Sequence, residues 1–150
     1  MRLALYQPDI AQNAGTLLRL GACLGAAVDI IEPCGFLFSE TKLKRAAMDY
    51  LSLAEYVRHA SWEAYLGAND AGRIVLLTTQ ASLPYVDFTF LYNDTILLGR
   101  ESAGVPQAVH ERADARLRIP MKSGLRSINV AQAGAMVLGE ALRQTGKFPS

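Results

Sequence analysis

Hydrophobic and polar positions follow two patterns along this chain: short, continuous apolar runs and longer segments with helical spacing. Continuous apolar runs are typical of strands that are covered on both faces of a parallel sheet. They predict strands at Arg2–Tyr6, Val28–Ile31, Arg73–Thr78, Thr95–Leu98 and Leu117–Ile119. We expect the runs at 73–78 and 95–98 to form the centre of the sheet.

Helix signals fall between these runs. Ser61 is placed as an N-cap, and Pro106 is suited to a first helical turn. The predicted helices are Asn13–Leu24, Lys42–Met48, Ser61–Ala68, Pro106–Arg112 and Asn129–Gln144. The segment Ala54–Val57 is ambiguous and could be a strand. Strands that alternate with helices predict an α/β fold with a mostly parallel sheet and helices on both of its faces.

Length and composition restrict the class of protein. A chain of 150 residues fits a single domain over 1–150. With 51% hydrophobic and 19% charged residues it is not a disordered chain, and no apolar run approaches the length that crosses a bilayer.

The first apolar run ends at Gln7 and Pro8, which argues against a secretory signal. Two cysteines, Cys23 and Cys34, are expected to be buried free thiols, consistent with a cytoplasmic protein.

Charge gives weaker information about partners. The net charge is only +1, but a nucleic-acid-binding protein needs a local basic surface rather than a basic total. Several basic side chains could form such an edge, and they could equally belong to an ordinary solvated surface. They are Lys42, Lys44, Arg45, Arg100, Lys122 and Arg126.

The missing motifs narrow the choice of nucleotide-binding class. The turn after the first strand lacks the G-x-G-x-x-G that a dinucleotide requires, and neither a P-loop nor a G-x-S-x-G elbow is present. The two histidines, His59 and His110, are far apart and give no zinc-ligand spacing. We therefore expect no metal site, and we expect each histidine to be structural or exposed.

Two loops near the carboxyl terminus have features that suit a ligand. In GRESAGVP, Gly99 and Gly104 permit positive φ and close approach of a ligand to the backbone, and Glu101 lies between them. In the following Ile119-Pro120-Met121, the proline lacks an N–H and leaves neighbouring backbone groups free for a ligand. Taken singly, the first loop could be a generic strand-to-helix turn and the second a strand terminator.

Polar residues at the starts of helices add further candidates. Ser127 and Asn129 can each act as an N-cap, so one of them would remain free to contact a ligand or substrate. Asn13 could cap the first helix, and Arg19 is expected near the same side less than two turns further on. The ordinary interpretation of Arg19 is a surface arginine with a buried stem.

The last helix is unusually slim. Small residues occupy many of its positions: Ala131, Ala133, Gly134, Ala135, Gly139 and Ala141. Another element must therefore approach this helix closely, although a plain helix packed on a sheet would also permit such residues. General rules on chain connections predict an open, unknotted sheet.

Read together, the N-terminal NAGTLLR (13–19), GRESAGVP (99–106), IPM (119–121) and the helix start RSIN (126–129) resemble the motifs of the SPOUT family of knotted RNA methyltransferases. The similarity covers essentially the whole chain. It is greatest to small bacterial enzymes that methylate the ribose 2′-hydroxyl of the wobble nucleotide in tRNA. The alternatives are a 2′-O-methyltransferase for another tRNA or rRNA site and a non-catalytic RNA- or nucleotide-binding α/β module.

The resemblance implies a deep trefoil knot made by the last helix and S-adenosylmethionine as cofactor, with S-adenosylhomocysteine as product. It implies a homodimer with a shared active site, an anticodon-loop substrate with C34 or U34, and leucine tRNAs in particular. The implied cofactor-binding residues are Leu77, Thr78, Gly99, Gly104, Ile119, Met121 and Ser127. The implied catalytic residues are Arg19, Asn13, Glu101, Ser127 and Asn129. One departure is Gly139, where relatives often have an aromatic residue.

Overall fold

The computed structural model describes residues 1–69 and 72–150. Its strands are β1 (Arg2–Tyr6), β2 (Ala27–Ile31), β3 (Tyr56–His59), β4 (Ile74–Leu77), β5 (Leu83–Pro84), β6 (Thr95–Leu98) and β7 (Ala115–Arg118). Its α-helices are α1 (Ala11–Leu24), α2 (Glu40–Ala47), α3 (Trp62–Ala68), α4 (Gln107–Arg112) and α5 (Val130–Thr145). Short 3-10 turns occur at Tyr50–Ser52 and Tyr85–Asp87.

The described strands form one sheet in the order β3-β2-β1-β6-β4-β7-β5. Every neighbouring pair in this order is parallel. β6 lies in the middle, between β1 and β4. The predicted α/β class and the central position of the run at 95–98 are therefore confirmed.

The two faces of the sheet carry separate hydrophobic cores, because successive side chains of a strand point to opposite faces. On β1, Leu3 and Leu5 are buried in a core that includes residues of α1, α2 and α5. Ala4, between them, belongs to a second core with Tyr65 of α3 and Val109 of α4. Helices thus cover both faces, as the continuous apolar runs predicted. No helix within the described ranges is both long enough and apolar enough to cross a bilayer.

The element boundaries differ from the prediction in places that affect the site. α1 begins at Ala11, and Ile10 occupies its N-cap position without a side-chain hydrogen bond. The prediction that Asn13 caps this helix is therefore wrong, because Asn13 already lies inside the first turn. Met48 lies outside α2 and has a φ of 47°. The ambiguous segment at 54–57 leads into a strand, β3, while the two-residue β5 was not predicted.

Cysteine burial was only partly predicted. Both thiols are free, but Cys23 is exposed and Cys34 is half-buried. The prediction of burial is therefore wrong for Cys23, which lies on α1. Burial raises the pKa of the Cys34 thiol to about 11.

His59 has a structural position, as expected. It is buried, and its Nε2 atom lies 2.8 Å from Oδ1 of Asp29. The same carboxylate accepts hydrogen bonds from the guanidinium of Arg2 at 2.7 and 3.0 Å. This cluster joins β1, β2 and β3.

One of the small residues of α5, Gly134, lies where a side chain would crowd its neighbours. A Cβ atom on Gly134 would lie 2.8 Å from Cδ2 of Leu17 and 3.0 Å from Cδ1 of Leu98. Close approach of α1 and β6 to this helix is therefore confirmed. At Gly139, by contrast, a Cβ atom would meet nothing within 4 Å.

Replacing Gly15 with alanine is expected to destabilise the protein. The new Cβ atom would overlap Cβ of Ala46 and lie 3.1 Å from its carbonyl carbon, so α1 and α2 would have to separate. Overpacking costs about 1–3 kcal/mol, more than the gain of about 1 kcal/mol in helix propensity. The matched control is Gly67→Ala in α3, where nothing lies within 4 Å and we expect a small stabilisation. Urea denaturation measures both free energies of unfolding; equal stabilisation by the two substitutions would contradict this packing.

Candidate functional site

A cleft of about 530 Å³ lies at the carboxyl edge of the sheet. Segments that follow β1, β4, β6 and β7 line it, together with the start of α5. Open α/β sheets bind ligands at this edge, and the volume falls within the range of small-molecule sites.

Nearly all the residues predicted for the site line this one cleft. They are Leu77, Thr78, Gly99, Gly104, Ile119, Met121 and Ser127 of the cofactor set and Asn13, Glu101 and Asn129 of the catalytic set. Arg19 is the exception, since it is not among the lining residues. The lining also includes His110, which is half-buried.

The loop between β6 and α4 folds tightly on itself. The backbone N–H of Arg100 donates to the carbonyl of Gly104, and the N–H of Gly104 donates back to Arg100, both at 2.9 Å. Gly104 has a φ of 62°, and a Cβ atom there would meet nothing within 4 Å. A Cβ atom on Gly99 would lie 2.9 Å from Cα of Gly104. Both glycines are thus required by the loop, and bare backbone at Gly104 faces open space where a ligand can approach it.

A chain of side-chain hydrogen bonds joins three segments around the cleft. Nδ2 of Asn13 donates to Oε1 of Glu101 at 3.1 Å, and the backbone N–H of Asp9 donates to Oε2 at 2.8 Å. Nδ2 of Asn129 donates to Oδ1 of Asn13 at 3.1 Å. The two oxygens of Glu101 therefore hold the loop against the turn after β1 and against the first turn of α1, which makes this carboxylate a positioning group.

Asn129 and Ser127 have different roles at the start of α5. Oδ1 of Asn129 accepts hydrogen bonds from the backbone N–H groups of Ala131 at 2.9 Å and Gln132 at 3.3 Å. Asn129 is therefore the N-cap. Ser127 is exposed, and its hydroxyl forms no hydrogen bond with residues 1–69 or 72–150. Of the two candidate caps, Ser127 is thus the one whose side chain remains available at the cleft.

Asp9 belongs to this site and was not identified from the sequence. Its carboxylate accepts hydrogen bonds from Nε and Nη2 of Arg100 at 3.2 and 2.6 Å. It also accepts from the backbone N–H and the hydroxyl of Ser102 at 3.0 and 2.6 Å. The Arg100 guanidinium, followed by Ser102, lowers the pKa of Asp9 to about 2. Its position could have indicated a site residue, because Asp9 closely follows β1 at the edge of the sheet where the cleft lies.

Arg19 lies away from the cleft of its own chain. Nη1 of Arg19 lies 2.8 Å from Sδ of Met48, and its guanidinium carbon is 5.1 Å from the centre of the Tyr50 ring. Six residues correspond to about 1.7 helical turns, so Arg19 and Asn13 point in different directions from α1. The expectation that they share one side of the helix is wrong.

Metal ligation has no candidate in the part of the chain that the structure describes. No group of three or more His, Cys, Asp or Glu side chains is arranged there to hold a metal ion.

A parallel α/β sheet with a backbone-lined cleft at its carboxyl edge defines a class of nucleotide- or cofactor-binding protein. The sequence model of the SpoU rRNA Methylase family matches residues 1–139. The chain therefore belongs to the SpoU rRNA Methylase family.

Individual relatives are similar over nearly the whole chain. A tRNA (cytidine(34)-2′-O)-methyltransferase of Ancylobacter novellus is 57% identical over 99% of this chain and 95% of its own. A solved structure concerned with 2-OH methylation of C/U34 on tRNA has a TM-score of 0.91 and 39% identity, covering 95% of this chain and 94% of that one. An AdoMet-bound rRNA methyltransferase from Sinorhizobium meliloti has a TM-score of 0.85 and 27% identity, covering 95% of this chain and 55% of that one.

Truncating Asn129 is expected to destabilise the protein more than truncating Ser127. Asn129→Ala removes the cap of α5 and leaves Asn13 without its donor, at a cost of about 0.5–2 kcal/mol. Ser127→Ala removes no hydrogen bond and should change stability by less than about 0.5 kcal/mol. Thermal and urea denaturation of the two variants measure the difference. A larger loss for Ser127→Ala would show that the capping roles are reversed.

Proposed function

We propose that this protein transfers a methyl group from S-adenosylmethionine to the ribose 2′-hydroxyl of the wobble nucleotide, C34 or U34, in tRNA. The observation that carries the proposal is that every residue expected to bind the cofactor, and every expected catalytic residue except Arg19, lines the same cleft. The 57% identity to a relative named for methylation of cytidine 34 supports the choice of substrate. A tRNA substrate is also consistent with a cytoplasmic location, and leucine tRNAs are the first substrates to test.

The residues of the cleft fit this cofactor. Leu77, Ile119 and Met121 supply apolar walls suited to an adenine ring, while the absence of a side chain at Gly104 leaves room for the cofactor to lie against the backbone. When it is bound, S-adenosylmethionine supplies the electrophilic methyl group. The chain's contribution is to align the reacting atoms and to handle the proton of the hydroxyl.

The hydrogen bonds in the cleft indicate which side chains are engaged in structure and which can act on the substrate. Glu101 and Asn129 are engaged in holding loops together, and we therefore assign to the unengaged hydroxyl of Ser127 the role of orienting the ribose or passing on its proton. Arg19 is a poor general base, because a guanidinium has only hydrogen-bond donors and no acceptor. We infer that Arg19 binds the adjacent phosphate and stabilises the developing alkoxide.

The position of Arg19 supports a homodimer. Because Arg19 does not line the cleft of its own chain, Arg19 of one copy would complete the cleft of the other. We infer that α1 and α5 form the contact between copies. The proposal also includes the deep trefoil knot at α5, for which the close packing of Gly134 against Leu17 and Leu98 is supporting geometry.

Basic side chains would hold the RNA. Arg126 lines the cleft, and Lys122, Lys42 and Arg45 are exposed. Arg100 contributes less, because Asp9 already neutralises it. The side chain of Lys44 lies outside the described residues. An anticodon loop is a suitable substrate, since its unpaired nucleotides can be turned into a cleft more easily than those of a duplex.

Incubation of the purified protein with S-adenosylmethionine and tRNA should add one methyl group to the ribose of nucleotide 34. Mass spectrometry of the digested tRNA measures the position. Gly104→Val is the negative control, because a β-branched residue is strained at a φ of 62° and its side chain would enter the cleft. Methylation only at another nucleotide would refute the wobble assignment. Calorimetry that detected no binding of S-adenosylmethionine would instead indicate a non-catalytic α/β module.

Mixing two inactive variants tests the shared site. Arg19→Ala and Gly104→Val should each lack activity, while a mixture in equal amounts that exchanges subunits should recover about a quarter of wild-type activity, since half of the dimers then have one complete cleft. Each variant unfolded and refolded alone is the control. Activity in the mixture no higher than the sum of the two controls would place Arg19 and the cleft in one subunit.

A further inference from the structure

Three consecutive residues of one loop converge on Asp9, which is not itself one of the residues lining the cleft. The carboxylate of Asp9 holds both Arg100 and Ser102, and its backbone N–H holds Glu101, which lies between them. Consecutive residues of the loop at 99–104 are therefore fixed from one point. These bonds are charge-assisted, and such bonds are stronger than neutral ones.

Asp9 is itself held from the other side. The backbone N–H of Gly35 donates to the carbonyl of Pro8 at 2.9 Å. A Cβ atom on Gly35 would lie 2.9 Å from Cα of Asp9 and 3.0 Å from its Oδ1. The segment after β2 thus packs tightly behind Asp9, so the carboxylate has little freedom to move away from the loop.

We propose that Asp9 is a positioning residue that holds the loop at 99–104 in the conformation that binds S-adenosylmethionine. This inference rests on the proposed function, because it assumes that this loop binds the cofactor. Asp9 acts through Arg100, Ser102 and Glu101 and needs no contact with the cofactor.

The physical consequence is an effect on affinity rather than on the methyl-transfer step. If only a fraction of the ligand-free protein has the competent loop, the apparent dissociation constant rises by the inverse of that fraction. Saturating cofactor selects the competent loop, so kcat should change little. A merely structural role would lower stability, and it would not explain a raised KM at an almost unchanged kcat.

Asp9→Asn is the test substitution, because asparagine keeps the shape of the side chain and removes its charge. We expect the dissociation constants of S-adenosylmethionine and S-adenosylhomocysteine, measured by calorimetry, to rise about tenfold. The KM for the cofactor should rise by a similar factor, with kcat within about twofold of the wild-type value. In the ligand-free protein, hydrogen exchange of the Gly104 amide should become faster, since that N–H closes the loop.

Glu140→Gln is the matched control. Glu140 also pairs with an arginine, Arg143, at 2.8 Å, and that contact lowers its pKa to about 2, but it does not line the cleft. The substitution Glu140→Gln should therefore leave cofactor affinity and exchange of the Gly104 amide unchanged. Arg100→Ala provides a second, independent variant: if Asp9 acts through Arg100, Asp9→Asn should weaken binding less in that background than in the wild type.

Each outcome decides a separate claim. Wild-type affinity and wild-type exchange in Asp9→Asn would overturn the positioning role while leaving the proposed function intact. Equal losses of affinity in Asp9→Asn and Glu140→Gln would also overturn it, because the effect would then follow from general destabilisation. A wild-type protein that binds no S-adenosylmethionine would refute the proposed function itself, whereas faster exchange of the Gly104 amide in Asp9→Asn would still show that Asp9 holds the loop.

Discussion

The architecture of the cleft depends on one pair of hydrogen bonds, those accepted by the two oxygens of Glu101. One comes from the backbone after β1 and the other from Asn13 inside α1. Asn13 in turn accepts from Asn129, which caps α5. A single carboxylate thereby sets the relative positions of three chain segments that are distant in sequence, and a ligand meets a surface that is already assembled.

The sheet explains why those segments meet. Since all described neighbouring strands are parallel, the chain returns to the same edge after β1, β4, β6 and β7. Both faces are buried against helices, so these strands are rigid supports for the loops at their ends. Gly134 allows α5 to lie against Leu17 and Leu98, which brings its N-terminus to the same edge.

The sequence was sufficient for the class of fold and for most of the cleft lining because apolar runs and loop motifs are local signals. It was insufficient where the outcome depends on pairing between distant residues. Asp9 and Arg100 are 91 positions apart, and nothing local indicates that they form an ion pair. Asn13 was assigned a capping role because its residue type suits one; its actual partners, Glu101 and Asn129, exist only in the folded chain. β5, with only two residues, is too short to give any periodic signal.

The motif that contains Arg19 led to the correct family, but the position expected for Arg19 on α1, on the same side as Asn13, was wrong. Helical spacing alone turns it away from Asn13, and its contacts with Met48 and Tyr50 hold it against the segment that follows α2. Within the described part of one chain, the cleft therefore has a hydroxyl without a hydrogen bond at Ser127 and a cation at Arg126, whereas Arg19 does not line it. Transfer to a 2′-hydroxyl develops negative charge on oxygen, and a stabilising cation must reach that atom in the transition state. In the proposed homodimer, a second copy would supply Arg19 without any rearrangement of α1.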